Sequence, residues 1–239
     1  MTGSFEGWSE SWEEPKKYQG LRIPQDQLTK RIQEILSLWN GPLPPNWIRP
    51  DWSYITVKGY RRGDMDRPKP EHLLEVRLFE ITSWPVKGLG EEVTFAPILN
   101  AVSLANQNQK QREVDVLGIL TFPHNRILCS VEMKGANTNS AWFAVVETLQ
   151  HLKLIQNHPH DFLPHDSPFE CLTNLAWSET WGMVLAPPSF FNSRGQKENS
   201  FIDAKELIRI IKQEVGVTIL LARFQPEAEK SIEVLFRPD

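Results

Sequence analysis

The sequence has little cysteine, no long apolar run and no excess of positive charge. Two of its 239 residues are cysteine, Cys129 and Cys171, too few for a disulfide framework. No stretch is apolar for long enough to span a bilayer, and the polar N-terminus has no apolar signal segment. The formal net charge of −4 argues against binding nucleic acid by electrostatics alone. We therefore expect a soluble, cytoplasmic protein with no membrane partner.

The composition is that of a globular protein with a substantial core. Hydrophobic residues make up 40% and charged residues 23% of the chain, which is ordinary for a folded domain. The chain is long enough for one large domain, and no internal boundary is evident. We divide it into an N-terminal extension at 1–70 and an α/β domain at 71–239, and expect the extension to pack on the domain.

Apolar spacing predicts most of the secondary structure. Residues 25–39 have the 3.6-residue periodicity of a helix. The segment 71–84 fits either a helix or a strand. The other patterns predict a strand at 52–60, a helix at 95–105, strands at 112–122 and 127–135, a helix from about 140 to 157, a strand at 181–186, a helix at 201–215, and strands at 217–224 and 231–237. This order favours a mixed central β-sheet flanked by helices.

A predicted β-hairpin at 113–135 places three ionisable side chains on one face. With a four-residue turn at 123–126, Asp115 lies opposite Lys134 and Leu117 lies opposite Glu132. Because side chains alternate between faces, Asp115, Glu132 and Lys134 share a face near the open end of the hairpin. A shift of two residues in register keeps them together, whereas a shift of one would bury charges in the apolar face.

These charges lie on strands whose other residues are apolar, so they need a partner. Two buried carboxylates are costly unless a cation neutralises them, and a divalent metal is suited to that role. Two carboxylates, waters and substrate phosphates form a typical Mg²⁺ site. Lys134 would position the attacking water or stabilise charge on a phosphate.

The run REVDVLGIL, a turn, CSVEMKG and a following helix resemble the PD-(D/E)XK nuclease superfamily. Its motif is an acid on one strand and acid-x-Lys on the next, here Asp115, Glu132 and Lys134. The proline that names the motif is replaced by Val114. The resemblance covers roughly 90–190 and implies a restriction-endonuclease-like core with a mixed central β-sheet flanked by helices.

The resemblance also implies a function and further site residues. It implies an endonuclease that hydrolyses phosphodiester bonds with Mg²⁺ or Mn²⁺, with DNA favoured over RNA as the substrate, and it allows a homodimer. Asp115 and Glu132 would bind the metal together with the backbone carbonyl of Met133. Gln150 on the following helix is a further catalytic candidate, and Glu91 or Glu92 is the candidate on a preceding helix.

Each of these interpretations has a structural alternative. Asp115 and Lys134 would also form a plain cross-strand ion pair, with Glu132 as a solvated neighbour. Gln150 suits an ordinary polar position on a helix. The histidines from His151 onward match no standard zinc spacing. The basic run at 58–69 suits a phosphate-contacting loop or a solvated one. The functional alternative is a non-catalytic nucleic-acid-binding or scaffold module.

Overall fold

The computed structural model describes residues 23–41, 70–103, 113–136, 140–157, 179–191, 196–227 and 230–239. The predicted strand at 52–60, the basic run up to residue 69 and most of the histidine-rich segment lie outside these ranges. Across the described ranges, no helix combines the length and the apolar composition needed to cross a membrane.

Five helices and seven strands are present in the described ranges. The N-terminal helix lies where the sequence predicts it, and the segment that fitted either a helix or a strand contains one of each. The helices are α1 (Gln25–Asn40), α2 (Pro70–Phe79), α3 (Ala141–Asn157), α4 (Pro188–Phe191) and α5 (Gln196–Val215), and the strands are β1 (Trp84–Lys87), β2 (Val93–Ser103), β3 (Glu113–Thr121), β4 (Arg126–Met133), β5 (Thr180–Ala186), β6 (Ile219–Phe224) and β7 (Ile232–Phe236).

The seven strands close into a barrel in chain order. β4, β5 and β6 run parallel to one another, and the remaining neighbours along the order are antiparallel. A short parallel pairing of β1 with β7, through Val86↔Ile232 and Lys87↔Glu233, closes the ring. The predicted mixed central sheet of a restriction-endonuclease-like core, flanked by helices, is therefore wrong, because the sheet closes into a barrel. The predicted helix at 95–105 is also wrong over 95–103, which belongs to β2 and has a register irregularity at Pro97.

Two apolar clusters fill the molecule. One draws side chains from all seven strands, including Phe95, Cys129 and Met183, and so occupies the interior of the barrel. The free thiol of Cys129 is buried there. The other cluster joins the outer face of β3 to β6 with α1, α3 and α5. Charged groups at the boundary between the outer face and these helices are thus shielded from water.

A glycine on β5 allows α3 to approach the barrel closely. A Cβ atom built on Gly182 would collide with the methyl group of Thr148 on α3 and lie 3.0 Å from Leu152 Cδ1. Any larger residue at 182 would push the helix outward. Residues of α3 that face the strands therefore come into direct contact with β4 and β5.

The helix of the N-terminal extension packs on the rest of the chain. Leu28, Ile32 and Ile35 of α1 are buried in the outer cluster. The backbone nitrogen of Ile23 donates a hydrogen bond to Asp203 of α5 at 3.2 Å. The boundary at residue 70 stays a prediction.

Candidate functional site

The β3–β4 hairpin forms with a tighter turn than the sequence analysis assumed. Thr121 pairs with Arg126, and Phe122 N donates to Asn125 O at 2.9 Å. The loop therefore contains two residues, and the register is shifted by two from the predicted one. Continuing the observed ladder beyond Val116↔Val131 places Asp115 opposite Glu132 instead of Lys134. A shift of two preserves the faces, so both acids stay on the outer side of the barrel.

Lys134 lies between two carboxylates from different elements. Its Nζ is 2.6 Å from Glu132 Oε1 and 2.9 Å from Glu147 Oε2 on α3. Glu132 and Lys134 expose 6% and 7% of their surface. The backbone nitrogen of Lys134 donates to Leu185 O of β5 at 3.0 Å, which fixes the chain just beyond the end of β4. The side chain is thus held by the barrel on one side and by α3 on the other.

Asp115 is half-buried beside this pair. Its Oδ2 accepts a hydrogen bond from Met133 N at 2.6 Å. Burial raises the pKa of Asp115 well above its ordinary value, and repulsion from Glu132 raises it further, while Lys134 and the hydrogen bond oppose this. Met133 points its side chain into the barrel interior, and its backbone lies between the two acids.

Helix α2 brings two further acids to the site. Glu75 is buried, and its charge raises the pKa of Asp115. Glu71 Oε1 accepts from Gly135 N at 3.4 Å. Glu91 and Glu92, the acids predicted on a preceding helix, are exposed between β1 and β2, because the predicted helix does not exist. Because residues four apart lie on one face of a helix, α2 turns both Glu71 and Glu75 toward the site.

Helix α3 contributes Glu147 and His151, which are one helical turn apart. His151 Nδ1 is 3.4 Å from Glu132 Oε2, and Glu147 contacts Lys134. Gln150, the residue predicted on this helix, is buried immediately before His151. Sequence reasoning missed Glu147, although its spacing from His151 places both on one face of a helix.

The site holds more negative charge than Lys134 neutralises. Burial, the largest effect, raises the pKa of Glu132 and of Glu147, and Lys134 only partly opposes it. Burial would lower the pKa of Lys134, yet attraction to Glu132 and Glu147 raises it well above its ordinary value. At neutral pH the ammonium is therefore charged, and the surrounding carboxylates hold protons more tightly than free side chains do.

The donor set suits a hard cation that has few protein ligands. Within the described residues, no group of three or more histidine, cysteine, aspartate or glutamate side chains is placed to hold a metal ion. Glu132 Oε2 is nevertheless buried without a hydrogen-bond partner among these residues. With His151 Nδ1 3.4 Å away, this oxygen is an acceptor for a cation or for a protonated His151. Asp115, Glu132 and the Met133 carbonyl offer oxygen ligands only. Mg²⁺ is commonly held by one or two carboxylates, with waters completing its shell.

A cavity of about 510 Å³ lies on the side of α2 away from Glu71 and Glu75. This is within the usual size of a ligand pocket. Exposed Leu73 and Arg77 line it, together with residues that follow β5 and β6. α2 thus separates the charged site from a mainly apolar cavity whose lining includes Arg77 and Glu227. Arg77 pairs with Glu80 at 2.9 Å.

Comparisons with protein-family models, with curated proteins and with solved structures each found no match for this chain. The assignment of function therefore depends on the chemistry of the site.

Proposed function

We propose that this protein is a metal-dependent phosphodiesterase that cleaves nucleic acid, with DNA as the favoured substrate. The observation that carries the proposal is the buried Glu132 Oε2, which accepts no hydrogen bond from the described residues, although His151 Nδ1 lies 3.4 Å away. The site around this oxygen holds an excess of carboxylates. A divalent cation would satisfy this oxygen and relieve the repulsion that raises the pKa of Asp115. A homodimer and a cytoplasmic location stay predictions from the sequence.

Asp115, Glu132 and the Met133 carbonyl would hold Mg²⁺ or Mn²⁺. The metal, when bound, supplies charge to stabilise the phosphorane-like transition state and lowers the pKa of water. Lys134 would hold the attacking water by hydrogen bonds from its ammonium, and Glu147 would hold Lys134. The cavity beyond α2 would accept a part of the substrate that α2 separates from the scissile phosphate. Arg77, which pairs with Glu80 at 2.9 Å, would exchange this exposed partner for a phosphate there.

We also propose a relationship to the PD-(D/E)XK nucleases that is limited to this motif. Its support is local: an acid on one strand, Glu-x-Lys on the next, an acidic helix before them and a helix after them. The closed barrel gives the relationship no support from the fold. Function depends on the site more than on the fold that carries it.

A second candidate function is a non-catalytic module that binds nucleic acid or a protein. The observation that favours it is the pairing of Lys134 with both Glu132 and Glu147. Such a network neutralises much of its own charge without a metal. A buried ion network can be kept for structural specificity alone.

Cleavage of labelled single-stranded, duplex and branched DNA, and of RNA, in the presence of Mg²⁺ or Mn²⁺ separates the two functions. We expect the wild type to cleave DNA, EDTA to stop the reaction, and Asp115→Asn to be inactive but folded. Binding of nucleic acid that is unaffected by EDTA, with no cleavage of any substrate, would favour the module instead.

A further inference from the structure

The ammonium of Lys134 occupies a position between Glu132 and Glu147 that is nearly closed to water. The Nζ–Oε distance to Glu132 is 2.6 Å, a charge-assisted hydrogen bond, and the distance to Glu147 is 2.9 Å, an ion pair. The two carboxylates come from different elements, Glu132 from the C-terminal end of β4 and Glu147 from helix α3. Loss of one contact therefore need not release the other.

The two carboxylates differ in their availability to a metal. Glu132 lies across the hairpin from Asp115, whose pKa it raises through its charge. Glu147 extends from α3 and has its oxygen directed at Lys134. A divalent cation that bound Asp115 and Glu132 would be close to the ammonium now paired with Glu132. At such distances in a shielded site, repulsion between a divalent cation and an ammonium is large.

We propose that Lys134 is an exchangeable counter-ion of Glu132, and that Glu147 is the positioning residue that retains the ammonium when a divalent metal takes its place. The inference rests on the metal site of the proposed function. In the metal-free protein, Lys134 pairs with Glu132 through Oε1 and with Glu147 through Oε2. Metal binding breaks the Lys134–Glu132 contact, and the Lys134–Glu147 contact keeps the ammonium beside the metal, where the attacking water must be held.

The proposed role of Glu147 differs from simple electrostatic attraction between its negative charge and the metal. Attraction through space acts whether or not Lys134 is present. In the proposed role, Glu147 acts on the metal site by holding the ammonium of Lys134 away from Glu132. Glu147 therefore has this effect only when Lys134 is present. The two explanations therefore predict different results when Glu147 is changed in the presence and in the absence of Lys134, which a double-mutant cycle measures directly.

The test measures binding of Mn²⁺ alone, from the spectroscopic signal of free Mn²⁺ in a titration without substrate. The full-length wild type, Glu147→Gln, Lys134→Met and the double variant are compared, with Glu214→Gln, an exposed acid of α5, as the control for loss of charge. We expect Glu147→Gln to weaken binding roughly tenfold and Lys134→Met to strengthen it. In the Lys134→Met background, Glu147→Gln should change the affinity by less than about twofold, within the range of coupling seen for contacting residues.

A second variant keeps the proposal testable if Lys134→Met does not fold. Glu147→Asp retains the charge but moves the carboxylate about one methylene away from Lys134. We expect weaker Mn²⁺ binding from this variant, whereas attraction through space predicts no change. Folding of each variant is checked by its thermal unfolding transition.

The outcomes separate the inference from the proposed function. No Mn²⁺ binding by the wild type would overturn the metal site and the inference with it. Binding by the wild type with equal effects of Glu147→Gln in both backgrounds, or with no effect of Glu147→Asp, would overturn the inference alone.

Discussion

Replacing Lys134 by methionine should destabilise the protein strongly and in a pH-dependent manner. The substitution keeps a long apolar side chain but removes the ammonium from its contacts with Glu132 and Glu147 at 2.6 Å and 2.9 Å. Breaking a buried ion pair by removing one partner costs about 3–5 kcal/mol, because an unpaired charge stays buried. Protonation of a carboxylate limits this cost, since the pKa values of Glu132 and Glu147 are already raised.

The sign of the pH dependence follows from those raised pKa values. A carboxylate whose pKa is higher in the folded state binds more protons there than in the unfolded chain, so stability falls as pH rises through the interval between the two pKa values. Lys134 lowers the pKa of both Glu132 and Glu147. Its removal therefore widens the interval, and the loss in free energy of unfolding should be larger at about pH 8 than at about pH 5.

Urea unfolding of the wild type and of Lys134→Met at both pH values measures this loss. Lys87→Met, at an exposed position of β1, is the matched control and should change stability by less than about 0.5 kcal/mol. Millimolar Mg²⁺ should restore part of the stability of Lys134→Met, because a divalent cation supplies the missing positive charge. An equal and small effect of the two substitutions at both pH values would refute the account of the buried cluster.

Four further outcomes are expected. Asp115→Ala and Lys134→Ala should each lower the cleavage rate by roughly 10²–10³, while Mn²⁺ affinity falls only in Asp115→Ala; full activity of Lys134→Ala would contradict the proposed role of the ammonium. Mg²⁺ should raise the melting temperature of the wild type more at about pH 8 than at about pH 5, because protonated carboxylates bind metal poorly, and an equal shift would count against carboxylate ligands. Gly182→Ala should cost about 1–3 kcal/mol in urea unfolding, because its Cβ would meet Thr148; unchanged stability would mean that α3 moves freely. Leu73→Glu should weaken DNA binding and leave Mn²⁺ affinity unchanged, and a change in Mn²⁺ affinity alone would exclude the cavity as a substrate contact.

The arrangement of the hairpin was predictable because its determinants are local. Alternating apolar residues define the two faces of β3 and β4, and a register error of two residues leaves Asp115, Glu132 and Lys134 on the same face. The turn length was wrong, since Pro123 and His124 alone form the loop. With the shorter loop, the residue opposite Asp115 is Glu132 instead of Lys134. The three side chains still lie on the predicted face of the sheet.

Closure of the barrel was not predictable from local patterns. It depends on β1, which has four residues, and on its pairing with β7 nearly the whole domain away in sequence. An apolar run such as β2 does not distinguish a buried strand from a helix. In the structure, Pro97 marks an irregularity in the strand. Glu147 was missed because its partner, Lys134, is identified only once α3 is placed on the barrel.

The pairing that closes the barrel has a consequence for how the molecule opens. β1 and β7 are joined through two residue pairs, whereas β3 and β4 pair through six. Local opening occurs first where few backbone hydrogen bonds hold an element. Amide hydrogens along the β1–β7 seam should therefore exchange with solvent before those of β4, which lies on the opposite side of the ring in strand order. The barrel can part at its seam while the strands that carry Asp115 and Glu132 keep their spacing.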